Sequence, residues 1–178
     1  MNSYEKQDGI ILIIYSQVSE WRFEVKLSEK NQHLFNLVLS ELEEKGNLAR
    51  EKKAIQHGST TVYEHSVGVA GASLKLAEIF HIKVNEKALV RGALLHDYFL
   101  YDWHDKNSHH KRPHGFYHPS AALANAERDF DLNWRVKNTI KRHMFPLTPI
   151  PPKCLEGWIV CAADKICSTK ETIKIIKF

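Results

Sequence analysis

The chain has 178 residues, 43% hydrophobic and 26% charged, which suits one globular domain with a single core. The net charge of +4 fits a small anionic substrate, but no Lys/Arg run or repeat of basic and aromatic residues indicates a nucleic-acid platform. The apolar run Ile10–Tyr15 is too short to span a bilayer or to act as a signal peptide, which predicts a cytoplasmic protein with no membrane partner.

The first 28 residues are predicted to be an N-terminal extension of the domain at residues 29–178. Ile10–Tyr15 and Trp21–Leu27 are rich in β-branched and aromatic residues, and the second run alternates apolar with charged positions. This pattern predicts a short β-hairpin. One interpretation places the hairpin at the edge of a homodimer.

From residue 29 onward the apolar residues recur with the period of a helix. Capping residues and prolines mark where each helix begins and ends. The predicted helices run from Glu29 to Gly46, from the capping box Thr61–Glu64 to Phe80, from Asn85 to His96, from Pro119 to Phe130, from Asn133 to His143, and from Cys154 to Glu171. A proline-rich loop over residues 145–152 separates the last two. The fold class is therefore predicted to be all-α, a helical bundle with the short N-terminal β-hairpin.

Metal-competent side chains lie on the apolar faces of four of these helices. A single inward histidine is more often an ordinary core residue than a ligand, but an unpaired buried aspartate is strongly disfavoured. Carboxylates and neutral imidazoles together bind cations well, which satisfies all of these residues at once. The residues alone therefore predict an internal metal site. They are His65 with Val69 and Leu76, His96 with Leu89 and Ala93, His143 with Val136 and Ile140, and Asp164 with Val160.

The segment ending in His96-Asp97 resembles the signature of the HD superfamily of metal-dependent phosphohydrolases. The resemblance covers residues 48–171, and the run from His96 to Trp103 is similar to an uncharacterised bacterial branch of the superfamily. Two further histidines, His118 and His143, fall where two-metal members carry theirs. The matching motifs are Tyr63-Glu64-His65-Ser66-Val67-Gly68-Val69-Ala70, Ala93-Leu94-Leu95-His96-Asp97 and Ala163-Asp164-Lys165.

The resemblance implies an HD-domain helical bundle with two divalent metal ions, for which Mn²⁺, Fe²⁺ and Ni²⁺ are suitable. A hydroxide shared by the two ions would attack a phosphorus atom. The expected function is that of a phosphomonoesterase or phosphodiesterase acting on a small phosphorylated metabolite or a nucleotide. The implied ligands of the first metal are His65, His96, Asp97 and Asp164; those of the second are Asp97, His118 and His143.

The predicted substrate contacts depart from a common superfamily pattern. Many members follow the His-Asp pair with Ile-Gly-Lys, in which the lysine meets the substrate phosphate, but this chain has Tyr98-Phe99-Leu100. Positive charge is therefore expected from the loop before His118. The candidate substrate-binding residues are His57, His104, Lys111 and Arg112, and the candidate catalytic residues are Asp97 and Asp102, the latter orienting the attacking water or capping the helix.

Two other functions are compatible with the same residues. HD-fold proteins that resemble myo-inositol oxygenase use six equivalent ligands to hold two irons and activate O₂. A non-catalytic HD module that binds a nucleotide as a sensor is the other alternative, although degenerate HD domains usually lose ligands and this chain has all six.

Overall fold

The computed structural model describes residues 26–57, 59–103 and 113–176. Within those ranges the chain forms seven helices and one two-stranded hairpin, which confirms the all-α prediction. None of the described helices is long and apolar enough to cross a membrane. The elements are α1 (Glu29–Lys45), α2 (Leu48–Glu51), β1 (Ile55–His57), β2 (Thr60–Thr61), α3 (Val62–Ile79), α4 (Glu86–Leu95), α5 (His114–Asp129), α6 (Trp134–Arg142) and α7 (Leu155–Ile176).

The predicted helix starts at Thr61, Asn85 and Asn133 are confirmed by the bonds that cap them. The Thr61 hydroxyl accepts from the Glu64 backbone N–H at 3.2 Å, and the Glu64 carboxylate accepts from the Thr61 N–H at 2.8 Å. The side chains of Asn85 and Asn133 each accept a backbone N–H of the following helix. Each cap satisfies a donor that the first turn of a helix leaves unpaired, so the caps fix where α3, α4 and α6 begin.

The predicted helix start at Pro119 is wrong, because α5 begins at His114 and contains Pro119 in its interior. Pro113 is the residue that precedes the first turn, in an extended conformation that suits a helix start. Because Pro119 has no backbone N–H, this 16-residue helix loses one hydrogen bond there, and the helix continues through the proline with its other hydrogen bonds. As a result His118 lies within α5 and not in a loop. The last helix also continues past the predicted Glu171, to Ile176.

The hairpin predicted near the N-terminus falls almost entirely on residues 1–25, outside the described part of the chain. A different hairpin joins α2 to α3, and the sequence did not predict it. Its strands are antiparallel, with Ile55 opposite Thr61 and His57 opposite Thr60. This hairpin places Gln56 against the end of α4.

The core is a cluster of buried apolar side chains between α1, α3, α4, α5, α6 and α7. Three of these helices meet at Thr139, which is fully buried on α6. A Cβ added at Gly92 of α4 would lie 2.9 Å from Thr139 Cγ2, and one added at Gly157 of α7 would lie 3.5 Å from Thr139 Oγ1. Because Gly92 and Gly157 lack a side chain, α4 and α7 can both approach α6 closely. Each of the three helices contributes to the cluster described next.

Candidate metal centre

The structure brings together the six side chains that the sequence predicted as metal ligands. His65 lies in α3, His118 in α5 and Asp164 in α7, while His96 and His143 directly follow α4 and α6. All six are buried; Asp164 is the most accessible at 8% and His118 follows at 4%. Six polar groups inside a helical core require a common partner or mutual pairing.

Each histidine ring is held by its Nδ1 atom. Nδ1 of His96, His118 and His143 lies 2.7, 3.2 and 2.9 Å from the backbone carbonyl of Ala93, His114 and Ile140 respectively. A carbonyl oxygen only accepts, so Nδ1 carries the proton in these three rings. Nε2 of the neutral imidazole then has a lone pair, and in all three it faces the interior of the cluster. Metal-binding histidines are held in this way.

The two oxygens of Asp97 divide the cluster into two halves. Oδ2 lies 3.9 Å from His65 Nε2 and 3.4 Å from His96 Nε2, and Asp164 Oδ1 completes that half at 3.2 and 3.9 Å from the same two nitrogens. Oδ1 lies 3.1 Å from His118 Nε2 and 3.5 Å from His143 Nε2. In each of three residue sets, the potential ligand atoms all lie within 4.8 Å of one another, and together these sets link the two halves. The sets are His65–His96–Asp97, His96–His143–Asp164 and Asp97–His118–His143.

The His118–His143 contact requires a proton or a cation between the two rings. Their Nε2 atoms are 2.9 Å apart, and both Nδ1 atoms already donate to carbonyls. In the neutral rings two nitrogen lone pairs therefore face each other beside the Asp97 carboxylate. A proton or a cation between them removes the repulsion, and a divalent cation also neutralises the carboxylate. The donor set of imidazoles and carboxylates fits such an ion.

The ionisation of the cluster leaves Asp97, Asp164 and the His143 ring ready to bind a cation, whereas His65 would have to release a proton on binding one. Burial, together with the neighbouring His96 and His118, lowers the pKa of His143 to about 3, which leaves its ring neutral at pH 7. Burial would lower the pKa of His65, but hydrogen bonds with Asp164 and Glu171 outweigh it and raise the pKa to about 10. Burial likewise opposes ionisation of Asp97, yet the adjacent His96 and His118 keep its pKa well below the usual value. The carboxylates are thus ionised.

Three buried residues that contact or adjoin the centre were not predicted. Glu171 lies on α7 with both carboxylate oxygens 3.0 Å from His65 Nδ1, and Gln56 donates from Nε2 to Asp97 Oδ2 at 2.6 Å. Glu51, at the end of α2, is 1% exposed; burial and the negative charge of Asp97 raise its pKa well above the usual value. Glu171 was detectable, because it follows Asp164 by two helical turns on the same face. The sequence gives no comparable signal for Glu51 or Gln56.

Of the other predicted site residues, only Asp102 has a side chain that the structure describes. Asp102 is exposed, in the segment that follows the His-Asp pair. His57 is a residue of β1, and its side chain lies outside what the structure describes, as do His104, Lys111 and Arg112 entirely. Their roles stay predictions.

Tyr98 occupies the position after the His-Asp pair and has a structural role. It is fully buried, and its hydroxyl donates to Asp129 at 2.7 Å and accepts from the Asn47 N–H at 2.6 Å. These bonds tie the end of α4 to the end of α5 and to the α1–α2 connection. The superfamily pattern that places a phosphate-binding lysine shortly after the pair is absent here, and Tyr98-Phe99-Leu100 packs with the core instead.

Comparison with known proteins agrees with this geometry. No curated protein and no solved structure gives a significant match to the chain. A family model described as "HD domain" matches residues 62–169, a span that includes all six clustered side chains. HD domains bind divalent metals and are typical of metal-dependent phosphohydrolases. Because the match covers more than half of the chain, the protein belongs to the HD domain family.

Proposed function

We propose that this protein is a phosphomonoesterase or phosphodiesterase that uses two divalent cations to hydrolyse a small phosphorylated metabolite or a nucleotide. The observation that carries the proposal is the pair of histidine nitrogens 2.9 Å apart beside an ionised aspartate. Membership of the HD domain family adds independent support. The proposed number of cations is two per chain, and Mn²⁺, Fe²⁺ and Ni²⁺ are the suitable ions.

Each half of the centre would hold one cation. His65, His96 and Asp164 would bind the first together with Oδ2 of Asp97, and His118 and His143 would bind the second together with Oδ1. Two such cations would supply Lewis acidity and would lower the pKa of bound water. Asp97 would contribute to both sites, since each of its oxygens faces one set of histidines.

The exposed edge of the centre indicates where a substrate enters. Asp164 and His118 are its most accessible members, so a phosphoryl group would approach along α5 and α7. Lys165 is exposed beside Asp164, and its Nζ lies 3.2 Å from the His143 carbonyl. We include this ammonium with the predicted His104, Lys111 and Arg112 as the positive charge that would attract an anion. His57 and Asp102 stay in the proposal as substrate-binding and catalytic candidates.

Turnover of two generic substrates, 4-nitrophenyl phosphate and bis(4-nitrophenyl) phosphate, tests the proposal. We expect Mn²⁺-dependent release of nitrophenol from at least one. The double variant His96→Ala/Asp97→Ala should lose both bound metal and turnover while its circular dichroism stays helical. A matched control, His33→Ala/Asp131→Ala, removes the same side-chain types from exposed positions and should behave as the wild type.

Two results would contradict the proposal. Full activity in a metal-free His96→Ala/Asp97→Ala variant would show that the cluster is not the active centre. Two bound irons with O₂ consumption and no phosphoester turnover would identify the oxygenase alternative instead.

A further inference from the structure

Three buried oxygen atoms beside the metal centre have no hydrogen-bond donor among the described residues. They are both carboxylate oxygens of Glu51 and the amide oxygen of Gln56. Glu51 is 1% exposed and Gln56 is 7% exposed, so bulk water does not satisfy these atoms freely. Buried acceptors in folded proteins are nearly always paired, and each exception needs an explanation.

Both residues belong to the segment that runs from α2 into β1, which precedes the region matched by the family model. Gln56 reaches the centre directly, through its 2.6 Å hydrogen bond to Asp97 Oδ2. The charged groups that act on Glu51 are Asp97 and His65. Gln56 therefore adjoins the half of the centre formed by His65 and Asp97, and Glu51, five residues earlier in the same segment, is near enough for the charges of these two residues to act on it.

The neighbouring side chains of the centre cannot supply the missing donors. Asp97 is ionised and only accepts hydrogen bonds. The ring nitrogens of His65 already face carboxylates, Nδ1 at 3.0 Å from Glu171 and Nε2 at 3.2 Å from Asp164. A water molecule has two donors, and when its oxygen faces a cation both hydrogens point outward. Such a water fits a site with a cation on one side and several acceptors on the other.

We propose that Glu51 and Gln56 are positioning residues that accept hydrogen bonds from water completing the coordination of the cation in the His65–Asp97 half of the centre. This inference rests on the proposed metal centre, to which it adds two polar residues of the α2–β1 segment. Gln56 would use both ends of its amide: Nε2 donates a hydrogen bond to Asp97 Oδ2, and the oxygen would accept one from the water. Glu51 offers its two side-chain oxygens as acceptors, and glutamine in its place would turn one of these acceptors into a donor.

The test compares Glu51→Gln with a matched control, Glu156→Gln. Glu156 is also a buried acid, 4% exposed, but it accepts from the Asn85 N–H at the start of α4 and lies about two turns before Asp164 on α7. Two quantities are measured for each full-length variant: the Mn²⁺ dissociation constant by calorimetry, and the melting temperature with and without Mn²⁺. Gln56→Leu serves as a second variant should Glu51→Gln fail to fold.

We expect Glu51→Gln to weaken Mn²⁺ binding about tenfold or more, the usual effect of losing an outer-sphere partner. Its metal-free melting temperature should equal or exceed that of the wild type, because the substitution removes an unpaired buried carboxyl. Gln56→Leu should weaken Mn²⁺ binding similarly. Glu156→Gln should lower the melting temperature equally with and without Mn²⁺ and leave Mn²⁺ affinity unchanged.

Unchanged Mn²⁺ affinity in both Glu51→Gln and Gln56→Leu, with a wild type that binds the ion, would overturn this inference and leave the proposed function intact. A lower metal-free melting temperature in Glu51→Gln with no change in affinity would assign Glu51 a purely structural role. A wild type that binds no Mn²⁺ would overturn both this inference and the proposed function.

Discussion

The close approach of α4 to α6 at Gly92 leads to a quantitative prediction for Gly92→Ala. The new Cβ would lie 2.9 Å from Thr139 Cγ2 and 3.0 Å from Thr139 Cβ, while carbon atoms in contact prefer about 3.5–4.0 Å. Either α4 must move away from α6 or Thr139 must shift, and Thr139 is fully buried. His96 and His143 each follow one of these helices, so the same movement separates them.

Two opposing energies determine the size of the effect. Replacing a glycine inside a helix with alanine stabilises the helix by about 1 kcal/mol. Overpacking a buried contact costs about 1–3 kcal/mol. Gly71, in the interior of α3, provides the matched control, since an added Cβ there meets no atom within 4 Å. The free energy of unfolding of Gly71→Ala should therefore exceed that of Gly92→Ala by about 1–3 kcal/mol.

Urea denaturation of the metal-free proteins measures this difference. The double variant Gly92→Ala/Thr139→Ser, which deletes the nearest contacting methyl group, should recover part of the lost stability. Metal retention after gel filtration should fall in Gly92→Ala and not in Gly71→Ala. Equal stability of the two single variants would refute the idea that the Gly92–Thr139 contact sets the spacing of α4 and α6.

Three further predictions concern other contacts. Asp129 accepts hydrogen bonds from its neighbours, first of all Arg128, and these bonds lower its pKa. Asp129→Asn should therefore lower the free energy of unfolding at pH 7 by about 1–2 kcal/mol. In urea titrations the difference between wild type and variant should shrink as the pH falls below about 4. Thr61→Ala removes the cap of α3 and should lower the free energy of unfolding by about 1 kcal/mol in thermal denaturation. Thr169→Ala, at an exposed position of α7, should change it by less than about 0.5 kcal/mol. Glu171→Gln loosens the anchor of His65 and should weaken Mn²⁺ binding about 10–100-fold by calorimetry; unchanged binding would contradict that role.

The parts of the fold predicted correctly are those with strong local signals. The caps at Thr61, Asn85 and Asn133 are each followed by many residues with a helical period, so α3, α4 and α6 start where the sequence indicates. Pro119 was misleading because proline is common in the first turn of a helix and is tolerated deeper in α5 at the loss of one bond.

Elements of only two to four residues are not detectable in the same way. The helix α2 has four residues, and the strands β1 and β2 have three and two. No apolar periodicity can develop over such lengths. These are the elements that bring Glu51 and Gln56 to the centre, and so this side of the site emerged only from the three-dimensional structure.

Four of the candidate ligands were accessible from the helical pattern because one polar residue on each apolar helix face requires a common partner. Asp97 and His118 were indicated by the resemblance to the HD superfamily. The structure places all six in one buried cluster, with Asp97 between two sets of histidines. Their division between two cations depends on distances between helices that are far apart in sequence. The packing of the helices, including close contacts such as Gly92–Thr139, sets those distances.

The metal content of the purified protein tests the central claim most directly. Elemental analysis should find about two divalent ions per chain after anaerobic purification or Mn²⁺ loading, and about one per chain in the double variant His118→Ala/His143→Ala. A wild type that retains no metal under either condition would contradict the account, and a wild type that retains only one would remove His118 and His143 from the proposed centre.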